Sequence, residues 1–202
     1  MTASSADIYA IILAAGASSR LGRPKQLLRW QNRSLLEQAI ANATSLLPGR
    51  VLVVLGAHAE AIETDTALAN VHVVYNPDWR EGIASSIRAG IHALPASTEA
   101  ALMLLCDQPL LAQSHLETLI NAWRREPSRI AASHYHDAPG VPALFPAAYF
   151  GELLKLQGDK GAKRLLHQHR QTLAAIPLQA AALDIDCADD FNQLRGHYHA
   201  EE

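Results

Sequence analysis

Positive charge and flexible backbone coincide in one loop near the start of the chain, directly after an apolar run at residues 8–13. The loop holds glycines, hydroxyls and cations: Gly16, Ser18, Ser19, Arg20, Gly22, Arg23 and Lys25. Glycine permits backbone conformations and close approaches that a Cβ would block. Exposed N–H groups combined with cations suit a polyphosphate. The alternative is an ordinary strand-to-helix loop with a solvated basic edge.

The spacing of this loop differs from the two common phosphate-binding fingerprints. Five residues separate Gly16 from Gly22, and Arg23 follows in place of the Lys-Ser or Lys-Thr of a Walker A loop. The G-x-G-x-x-G pattern of dinucleotide-binding folds does not occur here either. The loop therefore predicts phosphate or nucleotide binding by a different arrangement.

Three aspartates are candidate metal ligands. Asp107 follows the apolar run at residues 100–105, where a buried strand would end. Magnesium typically takes one or two protein carboxylates together with phosphate oxygens and waters, although Asp107 could instead cap the next helix. Asp184 and Asp186 flank Ile185, and on a strand they would point to the same side. They could add a second carboxylate, or Asp186 could cap the last helix.

Other polar side chains are weaker candidates for a binding or catalytic role. Ser85 and Ser86 lie near the start of a helix, where hydroxyls can bind a ribose, base or phosphate edge. They also suit a cap or a tightly packed helix start. Cys106 has no obvious neighbouring base, so packing is favoured over a nucleophilic role. The ten histidines show no metal-binding spacing.

The composition is that of an ordinary globular protein. Hydrophobic residues make up 49% of the 202 residues and charged residues 18%, which predicts one domain over residues 1–202. A net charge of −3 gives no general attraction to nucleic acid or to an anionic membrane. No apolar stretch approaches the roughly 20 residues of a membrane span. Two cysteines and an N-terminus without signal-peptide features predict the reducing cytoplasm.

Apolar runs alternate with helical stretches along most of the chain. Strands are predicted at residues 8–13, 51–55, 71–75, 100–105, 130–133, 141–145, 173–176 and 182–185. Helices are predicted at residues 35–47, 59–68, 82–94, 112–125, 146–154, 162–169 and 189–194. A polar, turn-rich segment is expected at residues 134–142 and a mobile tail at residues 196–202. This order predicts an α/β fold with a mainly parallel sheet, in which ligands bind at the carboxyl ends of strands.

Six motifs occur in the order found in nucleotidyltransferases. Residues 13–28 match the signature L-A-A-G-x-S-x-R-[ML]-G-x-P-K-x-L-L. The others lie at residues 76–77 with 82–87, at 106–109 (C-D-Q-P), at 140–145 (G-x-P-x-L-F), at 158–162 (G-D-K-G-A) and at 183–190 (similar to D-I-D-T-P-E-D). The chain resembles these enzymes over nearly its whole length, and it is most similar to the molybdenum-cofactor, MobA-like group. Val141 and Cys187 depart from the His and Thr that this group often has there.

The resemblance implies a Rossmann-like three-layer nucleotidyltransferase fold with a mainly parallel, mixed sheet. It also implies a magnesium-dependent reaction in which a substrate phosphate attacks the α-phosphorus of a nucleoside triphosphate and pyrophosphate leaves. The residues that would bind the nucleotide are Leu13, Ala14, Ala15, Gly16, Arg20, Lys25, Ser85, Ser86 and Asp107. Arg20, Lys25 and Asp107 would be catalytic. Asp107 would hold magnesium together with Asp186, and Asp184 is a weaker candidate for the same role.

Ala15 bears on the choice of nucleotide. Relatives with Ala-Ala-Gly in the first motif resemble the cytidylyl-transferring type, whereas Ala-Gly-Gly is more typical of guanylyl transfer. The resemblance therefore implies CTP as donor, a molybdopterin-type cofactor as acceptor, and a molybdoenzyme as a candidate partner. The alternatives are GTP, another phosphorylated acceptor such as a sugar phosphate or phospholactate, or a non-catalytic nucleotide-binding partner of a molybdoenzyme.

Overall fold

The computed structural model describes residues 7–199 and confirms the alternation of strands and helices. The strands are β1 (Ile8–Leu13), β2 (Arg29–Trp30), β3 (Arg33–Ser34), β4 (Val51–Leu55), β5 (His72–Tyr75), β6 (Ala100–Leu105), β7 (Ala131–Tyr135), β8 (Ala138–Pro146) and β9 (Ala174–Pro177). The α-helices are α1 (Leu35–Leu46), α2 (Ala59–Asp65), α3 (Ile83–His92), α4 (Gln113–Arg125), α5 (Phe150–Leu153), α6 (Ala162–Gln168) and α7 (Ala188–His199).

Seven strands form one sheet in the order β5-β4-β1-β6-β8-β7-β9, and β2 pairs with β3 in a separate hairpin. Neighbouring strands of the sheet are parallel except at β8, which is antiparallel to both β6 and β7. The sheet is therefore mixed and mainly parallel, as predicted. Because β4 and β6 flank β1 on opposite sides, the chain order reverses there, and a crevice opens at the carboxyl ends of β1 and β6.

Both faces of the central strands are covered, which explains their uninterrupted apolar sequence. Along β1, Ala10 and Ile12 belong to one buried cluster, and Ile11 and Leu13 belong to the other. Helices α1 and α4 contribute to the first cluster, while α3 and α6 contribute to the second. The result is a three-layer α/β/α arrangement. Within residues 7–199, no helix is long and apolar enough to cross a membrane.

The turn-rich segment expected at residues 134–142 is wrong, because most of it lies in strands β7 and β8. His136 and Asp137 form the turn of a hairpin with φ values of 49° and 57°, which gives the tight connection typical of two-residue hairpins. Pairing shifts register after Ala132, so Pro142 falls at a bulge where a missing N–H group is tolerated. The prolines and Gly140 suggested a loop, but the sheet accommodates them.

The predicted helix at residues 146–154 is also wrong in extent. Pro146 pairs with Ala100 inside the sheet. A 3₁₀ turn at Ala147–Tyr149 follows, and the α-helix itself comprises only Phe150–Leu153.

The strand predicted at residues 182–185 does not form. The segment is irregular, and the N–H of Ile185 donates to the carbonyl of Asp107 at 2.9 Å. Ile185 is fully buried beside Trp30 and Phe191, so side-chain packing anchors the segment in place of a strand ladder. Helix α7 is longer than predicted and includes part of the expected tail. Residues 200–202 of that tail lie outside the described residues.

Candidate active site

A cleft of about 510 Å³ opens where the chain order reverses. Ten residues predicted from the sequence line this cleft: Leu13, Ala14, Ala15, Gly16, Arg20, Lys25, Ser86, Asp107, Asp184 and Asp186. Ser85 does not line it. The loops after β1 and β6 thus meet at one site, because β1 and β6 are adjacent parallel strands.

Gln26 fixes the backbone of the loop after β1. Its side chain is buried, and its Nε2 donates to the carbonyls of Ala14 at 2.7 Å and Gly16 at 3.0 Å. Its Oε1 accepts from Ser18 Oγ at 3.4 Å, and the same hydroxyl accepts from the backbone N–H of Lys25 at 3.1 Å. One amide therefore joins the two ends of the loop. Gln26 had no predicted role, although it stands inside the first motif.

The other carbonyls of this loop are also bonded within the protein. Ala15 O accepts from the N–H of Ala57 at 3.1 Å. Ala17 O accepts from His58 Nε2 at 2.9 Å, which requires the proton on that ring nitrogen. In the part of the chain that the structure describes, the N–H groups of residues 15–18 have no hydrogen-bond acceptor. Bonded carbonyls and unpaired donors are the property of an anion-binding backbone.

Lys25 connects this loop to carboxylates on the other side of the cleft. Its Nζ donates to Asp107 Oδ2 and, at 3.1 Å, to Asp186 Oδ1. Burial opposes the charged form of Lys25, but the attraction of Asp107 and then Asp186 outweighs it and raises the pKa of Lys25 above its usual value. The ammonium is therefore charged at neutral pH.

Asp186 lies between two cations. Its Oδ2 is 3.0 Å from an Nη atom of Arg20, whose side chain is 71% exposed. Burial opposes the charged form, but Lys25 and then Arg20 hold the pKa of Asp186 below its usual range. The carboxylate of Asp190 accepts from the N–H groups of Asp186 and Cys187 at the start of α7. Asp186 therefore faces the cleft cations, and the helix-cap alternative for its side chain is wrong.

Two buried carboxylate oxygens in the cleft lack a partner. Asp107 Oδ1 and Asp184 Oδ1 have no hydrogen-bond donor among the described residues. Burial and then repulsion by Asp107 raise the pKa of Asp184 to about 6, as expected of a carboxylate short of positive charge. Within residues 7–199, no group of three or more His, Cys, Asp or Glu side chains is arranged to hold a metal ion. The carboxylates fit a hard divalent cation that takes its remaining ligands from phosphate oxygens and water.

Cys106 has a packing role in this cleft. It belongs to the buried cluster beneath helices α1 and α4. Burial, followed by repulsion from Asp107, raises the pKa of the Cys106 thiol to about 12. The reactive thiolate is therefore strongly disfavoured at neutral pH, which confirms the packing interpretation.

The two serines of the motif at residues 82–87 differ in position. Asn76 Nδ2 donates to Ser85 Oγ at 2.8 Å and to Ser86 Oγ at 3.0 Å. Ser85 Oγ also donates to the carbonyl of Gly82 at 2.8 Å. Both hydroxyls thus join the start of α3 to the segment after β5. Of the two serines, Ser86 lines the cleft and Ser85 does not.

One wall of the cleft was not predicted. It includes Trp79, Arg80 and Asp159, and the Arg80 guanidinium lies 4.3 Å from the centroid of the Trp79 ring. Gly82 has a φ of 106°, and a Cβ there would lie 2.3 Å from Asp159 Oδ1. These residues lie in or next to two of the quoted motifs, which is the signal that could have identified them.

Comparison with protein families shows the family of the chain. The model of the MobA-like NTP transferase domain matches residues 10–173. The chain belongs to the MobA-like NTP transferase family. Membership confirms the predicted fold and assigns nucleotidyl transfer as the class of reaction.

Curated proteins similar to this chain have different names. Nicotine blue oxidoreductase of Paenarthrobacter nicotinovorans is 35% identical over 201 residues, with 93% of this chain and 96% of the relative covered. The molybdenum cofactor cytidylyltransferase of Escherichia coli strain K12 is 26% identical over 192 residues, with 95% and 97% covered.

Solved structures share the fold. Rv0371c from Mycobacterium tuberculosis H37Rv has a TM-score of 0.83 and 30% identity, covering 95% of this chain and 98% of that chain. A structure of the same protein described as a complex with manganese has a TM-score of 0.79 and 29% identity, covering 93% and 97%. Molybdopterin-guanine dinucleotide biosynthesis protein A from Archaeoglobus fulgidus has a TM-score of 0.68 and 15% identity, covering 95% and 99%, and shares the fold alone.

Proposed function

We propose that this chain transfers a cytidylyl group from CTP to a molybdopterin-type molybdenum cofactor in the cytoplasm and releases pyrophosphate. The observation that carries the proposal is the pairing of Lys25 with Asp107 across the cleft, beside a loop whose N–H groups are unpaired within the described chain. The E. coli relative is named a molybdenum cofactor cytidylyltransferase, which supports both the nucleotide and the acceptor. Residues 1–202 are proposed to act as one domain.

The reaction mainly requires alignment and neutralisation of charge. An ionised oxygen of the acceptor phosphate bonds to the α-phosphorus, and the bond from that phosphorus to the bridging oxygen breaks. The electron pair of the broken bond leaves on pyrophosphate. The N–H groups of residues 15–18, together with Arg20 and Lys25, would bind the triphosphate oxygens. Because the attacking phosphate is already ionised, the reaction needs no general base.

Magnesium is the proposed cofactor. Asp107, with Asp186 and Asp184, would hold it, since two of these carboxylates have buried oxygens without a partner. When bound, magnesium supplies the positive charge that neutralises phosphoryl oxygens. The manganese named for a relative with 29% identity supports a divalent ion. Lys25 now contacts Asp107 and Asp186, so binding would require the ammonium to move toward the phosphates.

Ala15 supports the choice of CTP. It lines the cleft and is buried. A Cβ built on Gly56 would lie 2.9 Å from the Ala15 methyl, so this methyl packs against the Gly56 backbone. The choice of nucleotide rests on the Ala-Ala-Gly sequence at residues 14–16, which resembles that of the cytidylyl-transferring type. A pyrimidine donor is therefore the proposal.

The decisive experiment measures pyrophosphate release with CTP, GTP, ATP and UTP, each with and without molybdopterin and with magnesium. We expect release to depend on CTP and molybdopterin together. GTP used as well as CTP would overturn the nucleotide assignment. Release with a sugar phosphate or phospholactate, but not with molybdopterin, would overturn the acceptor.

Two further results would change the class of function. CTP binding without pyrophosphate release, in the presence of molybdopterin, would favour a non-catalytic partner of a molybdoenzyme. The relative at 35% identity is named nicotine blue oxidoreductase, so the same preparation should be assayed for oxidoreductase activity with nicotine blue. Turnover in that assay alone would contradict the proposal.

A further inference from the structure

We propose that Gln26 is a positioning residue that turns the N–H groups of the loop toward the nucleotide triphosphate. This inference rests on the proposed function, because it concerns the same cleft and the same triphosphate. Gln26 does not itself need to touch the nucleotide. It acts through the carbonyls of Ala14 and Gly16, which accept both of its amide hydrogens at 2.7 Å and 3.0 Å.

The planarity of the peptide bond relates the direction of each of these carbonyls to that of the next N–H group. In a trans peptide, the C=O of one residue and the N–H of the next point in opposite directions. The bonds from Gln26 to Ala14 O and Gly16 O therefore direct the N–H groups of Ala15 and Ala17 away from Gln26. These N–H groups have no acceptor among the described residues, and both residues line the cleft.

The surroundings of Gln26 hold its side-chain amide in one orientation. Gln26 is 1% exposed and Ala14 is 2% exposed, so water cannot easily replace a lost hydrogen bond to the carbonyl of Ala14. Its Oε1 is engaged by Ser18 Oγ, which leaves Nε2 as the atom facing the carbonyls and fixes the amide orientation. Without the two donors, the buried carbonyl of Ala14 would be left unsatisfied, and the carbonyl of Gly16 would lose its partner within the protein. The peptide planes would then rotate, and their N–H groups would leave the cleft.

The test compares Gln26→Met with the wild type. Methionine keeps the length and approximate volume of the side chain but has no donor. We expect the Kd for CTP, measured by calorimetry with magnesium, to rise about tenfold or more, as loss of buried donors predicts. The Kd for CMP should change less than threefold, because fewer phosphate oxygens contact the loop. The KM for CTP should rise while kcat at saturating CTP stays within about threefold.

Asn42→Leu is the matched control. Asn42 Nδ2 also donates to a backbone carbonyl, that of Leu111 at 2.8 Å, but it does not line the cleft. Loss of this bond should leave both affinities unchanged. If Gln26→Met does not fold, as judged by circular dichroism, Gln26→Asn gives the same comparison with a shortened amide that cannot reach both carbonyls.

The outcomes separate this inference from the proposed function. Equal loss of affinity for CTP and CMP, or unchanged CTP affinity in a folded Gln26 variant, would overturn the positioning role. A wild type that binds no nucleoside triphosphate would overturn the proposed function itself. Hydrogen exchange gives an independent readout, because CTP should protect the N–H groups of residues 15–18 in the wild type and less so in Gln26→Met.

Discussion

The ammonium of Lys25 lies against the carboxylate of Asp107, 82 positions later in the chain. The two side chains are 18% and 9% exposed, so both charges are largely removed from water. Lys25 belongs to the loop that follows β1, and Asp107 follows β6. The pair forms because β1 and β6 are adjacent in the sheet, and it joins the loop that would hold phosphates to the carboxylates that would hold a metal.

Removing one partner of this pair should destabilise the fold. Lys25→Met leaves Asp107 charged and buried, which should lower the free energy of unfolding by roughly 3 kcal/mol. Adding Asp107→Asn to Lys25→Met should recover much of that loss, because the uncompensated charge is gone. Urea denaturation at pH 7 measures both effects. Lys155→Met, at an exposed site outside the cleft, serves as the control. No recovery in the double variant would show that the charge is not the cause.

Asp107→Asn should weaken the response to metal. The magnesium concentration that gives half-maximal pyrophosphate release should rise at least tenfold. Substitution of a residue that only hydrogen-bonds to a metal ligand already lowers metal affinity about 10-fold or more, and Asp107 is proposed as a ligand itself. Lys25→Met should behave differently. It should tighten binding of Mn²⁺ measured by calorimetry without nucleotide, because no ammonium then competes for Asp107 and Asp186. Unchanged turnover and unchanged metal requirement in Asp107→Asn would rule out its role as a ligand.

Asp184 should make the stability of the protein depend on pH. Its pKa is raised from 3.8 to about 6 in the folded protein, so the folded state binds this proton more tightly than the unfolded chain. The contribution of Asp184 to stability is therefore greatest below its unfolded pKa and declines as pH rises through the folded value. Asp184→Asn should gain stability relative to wild type between pH 4 and pH 7, with EDTA present. A constant difference over that range would contradict the raised pKa.

Gly56→Ala should disturb the loop without removing any polar group. A Cβ at Gly56 would lie 2.8 Å from the carbonyl oxygen of Ala15 and 2.8 Å from the Trp79 Cβ. The loop or the Trp79 wall must therefore shift. We expect a higher KM for CTP and a stability loss of about 1–3 kcal/mol. Gly151→Ala, at an exposed helical position where a Cβ meets nothing within 4 Å, should leave the KM unchanged and should not lower stability. An unchanged KM in Gly56→Ala would show that this contact does not affect the loop.

The sequence predicted most of the fold because its elements have strong local patterns. The central strands β1, β4 and β6 are apolar throughout, and this pattern follows from burial on both faces. The predicted elements were wrong where tertiary packing, and not the local sequence pattern, determines the backbone conformation. Ile185 is held by the apolar cluster and by one bond to Asp107 O, not by a strand ladder. Pro142 of β8 lies within the sheet because a register shift leaves it outside the paired positions.

For the candidate site too, some features follow from the sequence and others only from the tertiary structure. The sequence by itself determined which chemical groups are available, since residue types and spacing predicted Arg20, Lys25 and Asp107 as candidate site residues. The tertiary structure decided which of these groups meet, because strand order brings Lys25 and Asp107 together across the cleft. It also decided the role of Gln26, whose two hydrogen bonds depend on the path of a folded loop. An amide side chain carries no local signal of the carbonyls it will contact, and only the three-dimensional course of the backbone supplies that information.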